Sequence, residues 1–144
     1  MIKKKTIGIL ALFGTLIILA WSLAFPLAQG LCAAEQNPPA QNKGVTVTLL
    51  STVDLATEIP GMQGRQLRLR MVTLEPGGAL AVHGHKDHPG VAYLLKGTVI
   101  EHIGDVANEY NAGDHWSEAY KIHWIENRGS SPAVFICTDV FKQN

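Results

Sequence analysis

Only two cysteines occur in the 144 residues, Cys32 and Cys137, and two cannot build a disulfide framework. Cys137 closes the apolar run Ala133–Cys137 and reads as a small buried hydrophobe. Basic runs are also missing beyond the N-terminus. The chain has 12 Lys and Arg against 12 Asp and Glu. Three of the lysines are Lys3, Lys4 and Lys5, and no acid precedes residue 35. Residues 35–144 therefore carry a net charge of roughly −3, which gives nucleic acid no electrostatic hold. Beyond Val45 no apolar stripe of 3.6-residue period reaches useful length, and no internal repeat occurs. An all-helical domain is thereby excluded.

What the chain does have begins with an export signature. The three lysines precede a nearly unbroken apolar run from Ile7 to Phe25, and Pro26 ends it. Small residues follow at Ala28, Gly30, Ala33 and Ala34, the order of a secretory signal with cleavage after Ala34 or Gly30. The alternative is an uncleaved apolar helix that anchors the chain, since about 20 apolar residues span a bilayer. Leu31 stands where a lipoprotein needs a small residue before its cysteine, Cys32. Both versions export residues 35–144, to the periplasm or beyond, or anchored in the membrane with the domain outside. Residues 1–34 are thus a signal peptide or anchor, 35–44 (EQNPPAQNKG) a polar Pro-rich linker, and 45–144 one domain.

Within that domain, short β-rich runs alternate with Gly, Pro, Asn and Asp. Val45–Leu50 is the first, and Leu55–Gly61 has room for a short helical turn. In Gln66–Glu75, Leu67, Leu69 and Met71 alternate with Arg68 and Arg70, the period-2 pattern of a half-buried strand. A turn is expected at Pro76-Gly77-Gly78. Further strands are expected at Ala79–His85, Val91–Lys96, Thr98–Ile103, His115–Glu118, Ile122–Glu126 and Ala133–Phe141. Strands at this spacing predict an all-β sandwich or closed barrel.

All six histidines fall between residues 83 and 123. His83 and His85 are one residue apart on a predicted strand, so their side chains share a face. An antiparallel return brings His123 opposite. Three neutral imidazoles are a strong donor set for a divalent transition metal: Fe, Mn, Zn, Ni or Cu. Alone, an H-x-H pair is weak evidence.

The surrounding spacing strengthens it. Gly77, His83, His85 and Gly97, followed by Gly113-Asp114 and His123-x-x-x-Asn127, resemble the two motifs of the cupin family over residues 66–140. That resemblance implies a small jelly-roll barrel holding a metal inside, its mouth open to a small-molecule ligand or substrate. The family spans dioxygenases, isomerases, decarboxylases, lectin-like binders, sensors and storage proteins. Two departures matter. The family's first-motif Glu should stand at position 90, which is Gly90, and Glu118 and Tyr120 replace the usual Pro and Gly before His123.

A fourth ligand then has two candidates. Glu101 shares a face with Val99, where the family points apolar residues inward, and a buried lone carboxylate needs a partner or a metal. A one-residue slip would instead turn His102 inward and Glu101 to solvent. His88 lies in the loop after His85. Tyr93, His115, Trp116 and Glu118 are candidate pocket residues, whereas Trp124 should face away from His123, toward a sheet or subunit contact. Asn127 reads as a turn residue. The functional classes left open are a metal-dependent, dioxygenase-like enzyme on a small organic molecule, a non-catalytic metal or ligand binder, and a barrel without metal. Pairing into a homodimer is also expected from the resemblance.

Overall fold

Turn residues spaced along the domain leave strands as its main regular structure. The computed structural model describes residues 37–143, so the expected signal or anchor lies outside the described residues. Eight strands follow one another: β1 (Lys43–Asp54), β2 (Arg65–Gly84), β3 (Gly90–Lys96), β4 (Thr98–Ile103), β5 (Val106–Asn111), β6 (His115–Glu118), β7 (Ile122–Glu126) and β8 (Ala133–Lys142). One 3-10 turn, Leu55–Thr57, falls within the expected helical turn. Asp54 caps it by accepting the Ala56 N–H at 2.9 Å.

The strands form one sheet in the order β5-β4-β7-β2-β8-β3-β6, with β1 added along β2. Its two ends approach through Tyr110 on β5 and Trp116 on β6, whose ring centroids lie 4.8 Å apart. The result is an all-β, nearly closed barrel. Alternation along the strands sends Ala92, Leu94, Val99, Trp116, Ile125, Ala133, Phe135 and Cys137 into its core. Burial pushes the Cys137 thiol up to about 11, consistent with an inert core residue.

Three features differ from the sequence expectations, each for a physical reason. First, Pro76-Gly77-Gly78 does not end a strand. Gly77 adopts φ +70° and makes a corner within β2, where the strand changes partner from β8, paired up to Leu74, to β7, paired from Ala79. The Gly77 N–H donates to Asn127 O, and the Asn127 N–H donates to Gly78 O, both at 2.9 Å. Second, β5 is a strand beyond those expected, since Val106-Ala107-Asn108-Glu109-Tyr110-Asn111 presents no continuous apolar face. It forms as the return arm of a hairpin, pairing with β4 from Thr98↔Asn111 to Ile103↔Val106.

Third, the apolar face of Gln66–Glu75 is the outer one. Leu67 is exposed, whereas Arg68 and Arg70 lie on the same face as the buried Val72 and Leu74. Buried Asp139 on β8 makes that possible. It accepts Arg68 Nε at 3.0 Å, Arg68 Nη2 at 2.6 Å and Arg70 Nη2 at 3.1 Å. A buried charge is tolerable when it is paired this fully.

Asn127 ties the corner together. Fully buried, its amide donates to Leu74 O (3.0 Å), Glu75 O (3.3 Å) and Ser131 O (2.8 Å), and its Oδ1 accepts the Gly129 N–H at 2.9 Å. Asn127→Ala would strand several buried carbonyls. It should destabilise the domain by about 2–4 kcal/mol, measured as the urea midpoint at unchanged m-value. A cost near zero would show that water replaces the amide freely.

Candidate metal centre

Beyond its corner, β2 pairs along the neighbouring strand β7. His83 is directly opposite His123 in the β2–β7 ladder, and His85 follows two residues later on the same side. The three imidazoles converge through the same atom. His123 Nε2 lies 2.9 Å from His85 Nε2 and 3.1 Å from His83 Nε2. The three are the group among the described residues with the spacing to hold a metal ion.

The opposite nitrogens explain the convergence. His83 Nδ1–H donates to Ala81 O at 2.8 Å, and His85 Nδ1–H to His88 O at 3.3 Å. His123 Nδ1–H donates to Glu101 Oε1 at 2.6 Å. Each acceptor assigns the proton to Nδ1 and leaves the Nε2 lone pair pointing inward. Three lone pairs so close repel one another unless a cation lies between them. Ligands at right angles around an ion at about 2.0–2.1 Å stand about 2.9 Å apart, and tetrahedral ones about 3.4 Å. The two separations fit such a donor set.

Electrostatics favour the neutral rings that a metal needs. Burial holds both His83 and His85 below the ordinary histidine range, and in each the backbone hydrogen bond offsets only part of that. For Glu101, burial by itself raises the carboxyl. The hydrogen bonds from His123 and Lys121 outweigh it and hold Glu101 below the usual carboxylate range. Lys121 Nζ donates to Glu101 Oε1 at 2.9 Å, and Tyr110 OH donates to Oε2 at 3.2 Å.

The expected site residues divide into three sets. His83, His85 and His123 come together. Glu101 is fully buried and faces inward, so the one-residue slip does not occur. His102 instead lies on the outer side, stacked on Trp124 at 3.8 Å with the rings 4° from parallel. Yet Glu101 is a correction as a fourth ligand. Its carboxylate sits against Nδ1 of His123, on the opposite side of the ring from the convergent nitrogens, and is spent on three donors.

The pocket candidates separate likewise. The His88 ring stacks on Phe141 with centroids 5.1 Å apart, so this residue reaches the centre only through its carbonyl. Tyr93 and His115 line a depression on the outer face instead. Trp116 is core, packed on Tyr110 and Phe135. Glu118 does reach the interior. With Arg70, Val72, Leu80, His83, His85 and Phe135 it lines a cavity of about 200 Å3. Arg70, Lys121 and Tyr110 escaped the sequence reading. For Lys121 the signal was present, since it stands two residues before His123.

An all-β barrel that brings together three imidazoles, two buried and one half-buried, has the arrangement of a recognisable class of scaffold that could hold a metal. Residues 70–139 match the family model described as "Cupin domain", so the chain carries a cupin domain over that segment. No curated protein sequence matches the chain. Among solved structures, a cupin-2 domain protein from Rhodospirillum rubrum superposes with a TM-score of 0.56 at 18% identity, covering 76% of this chain and 68% of that one. The cupin domain of an XRE family transcriptional regulator from Enterobacter cloacae gives 0.54 at 14% identity, covering 70% and 100%. Oxalate oxidase in complex with glycolate gives 0.53 at 24% identity over 70% of this chain. The chain spans only 52% of that oxidase, and 60% of a cupin-superfamily sugar phosphate isomerase from Silicibacter pomeroyi. The three superpositions with a TM-score above 0.5 establish the fold.

The depressed histidines set a pH dependence. Folded His83 and His85 bind protons less readily than they do unfolded, so unfolding takes up protons. Stability of the metal-free domain is therefore present above the unfolded value of 6.5 and falls as the pH drops below it. Melting in EDTA between pH 7.5 and 5 should show a falling midpoint, with a shallower slope in His83→Gln. A flat profile in the wild type contradicts the assignment.

Proposed function

We propose that the protein is an exported, metal-dependent enzyme acting on a small organic molecule, with His83, His85 and His123 holding one divalent transition metal. The supporting observation is the trio of Nε2 lone pairs, each fixed inward by an acceptor on Nδ1. Bound there, a redox-active ion supplies oxygen activation, and zinc supplies Lewis-acid polarisation. A dioxygenase-like reaction is the leading case. Export rests on the N-terminal lysines and apolar run. Pairing of two copies across the outer face of β3, where Val91, Tyr93 and Leu95 are exposed, belongs to the same reading.

The remaining residues have roles beside the ion. Glu101 orients His123 and fixes its tautomer, with Lys121 and Tyr110 fixing the carboxylate. Leu80 and Phe135 keep the cavity apolar on one side. Arg70 lines the same cavity, and its Nε is buried with no hydrogen-bond partner. An unpaired guanidinium N–H in an enclosed space favours a ligand with a carboxylate or similar oxygen anion. At about 200 Å3 the cavity lies below the range of drug-sized pockets, which suits a molecule of few heavy atoms.

Metal analysis of untagged protein should find about one ion per chain in the wild type and almost none in a His83→Ala/His85→Ala double variant. Equal trace contents in both would end the metal reading. Glu101→Gln should retain the ion about 10–100-fold more weakly. Oxygen uptake by metal-loaded protein, screened over small carboxylates, catechols, thiols and flavonols, should identify a substrate. Silence across the panel with full metal occupancy argues for a binding protein instead.

A further inference from the structure

The three-histidine centre, on the reading above, lacks the carboxylate of the related motif. Gly90 stands where the related motif carries a Glu. Its backbone lies so close to β8 that a Cβ would come within 2.8 Å of Thr138 O. A side chain at 90 would therefore force the two strands apart, and the carboxylate cannot be restored there without moving backbone.

Directly across the β3–β6 ladder, Gly90 pairs with Glu118. The Glu118 side chain is buried, and its Oε2 lies 3.3 Å from the point a Cβ of residue 90 would occupy. Ordinary bond lengths put a glutamate's own carboxylate oxygens about 3–4 Å from its Cβ. Glu118 thus delivers a carboxylate oxygen at the distance from Cβ that a glutamate at 90 would give. Gly90 leaves the room.

Glu118 is only lightly held. The Trp116 indole N–H, two residues back on β6, is the donor beside it without closing a full hydrogen bond, and the nearest basic atom, His85 Nδ1, is 4.0 Å away, beyond hydrogen-bond reach. Glu101 and Asp139, the other buried carboxylates facing inward from β4 and β8, are each held by two or more donors. Glu118 alone of the three shares the cavity lined by His83 and His85. Burying an unpaired carboxylate is costly unless a cation meets it.

We propose that Glu118 is the relocated carboxylate of the metal centre and closes on an ion held by His83, His85 and His123 as its fourth protein ligand. A carboxylate from β6 replaces one from β3, and the exchange requires Gly at position 90. Hard oxygen donation should favour Mn(II) or Fe(II) more than a three-nitrogen set does.

The experiment compares Mn(II), Co(II) and Zn(II) affinities of wild-type protein, Glu118→Gln and Glu101→Gln by competition titration, with circular dichroism and melting to check the fold. The visible spectrum of the Co(II) form is recorded alongside. Glu118→Gln should weaken Mn(II) about 10–100-fold, weaken Zn(II) less, and change the Co(II) absorption bands. Glu101→Gln should weaken all three ions to a similar degree. Glu118→Asp, which keeps the charge but withdraws it by one methylene, should lose Mn(II) affinity in the same direction and covers the case that the Gln variant folds poorly.

Unchanged Mn(II) affinity and an unchanged Co(II) spectrum in Glu118→Gln would overturn the assignment. An equal loss for all three ions would reduce Glu118 to a distant charge, and that too overturns it. Failure of the wild type to bind any of the three ions would sink the three-histidine reading first and this inference with it.

Discussion

Everything in the centre depends on the Nδ1 hydrogen bonds of three histidines. Ala81 O, His88 O and Glu101 Oε1 each take one ring proton, and each thereby fixes a tautomer and a ring angle. Without those acceptors the imidazoles would rotate or exchange protons, and their lone pairs would not meet. The acceptors come from three different places: β2 itself, the loop behind His85, and β4. The ladders that hold those segments in register therefore maintain the site.

The same economy governs the interior charges. Asp139 absorbs Arg68 and Arg70, and Glu101 absorbs His123 Nδ1–H, Lys121 and Tyr110. These clusters let polar side chains occupy inward positions of a small barrel whose core is otherwise apolar. They also leave two groups unspent beside the histidines, the Nε–H of Arg70 and the carboxylate of Glu118. A donor and an anion left over within one cavity mark where the protein has bonding capacity in reserve.

Much of this was legible from the residues. The strands Thr98–Ile103, His115–Glu118 and Ile122–Glu126 keep their expected bounds: Gly97 and Gly104-Asp105 bracket the first, Asn111-Ala112-Gly113-Asp114 opens the second, and Asn127-Arg128-Gly129 closes the third. The histidine cluster was legible through i, i+2 spacing and the flanking glycines. Other features were hidden. Leu67, Leu69 and Met71 looked like the inner face of their strand, since polarity alone assigns arginine outward. Only Asp139, 69 residues beyond Arg70 in sequence, reverses the preference, and no local pattern contains that contact. Strand β5 was invisible for a related reason: its pairing with β4 supplies what its own residues lack. The spacing from Val99 left Glu101 either inward or, after a one-residue slip, in solvent; that it is buried, and which nitrogen of His123 it meets, are decided by register, strand twist and side-chain reach. Glu118 illustrates the same limit, because its relation to Gly90 exists only through the β3–β6 register.

The claim that three imidazoles meet at one ion through Nε2 is open to direct measurement. X-ray absorption at the metal edge of the loaded protein counts and identifies the ligands. Three imidazole scattering paths with nitrogen at about 2.0–2.2 Å, completed by oxygen donors, are the expected outcome. A centre with one imidazole or none, or with sulfur from Cys137 among its ligands, would contradict the account.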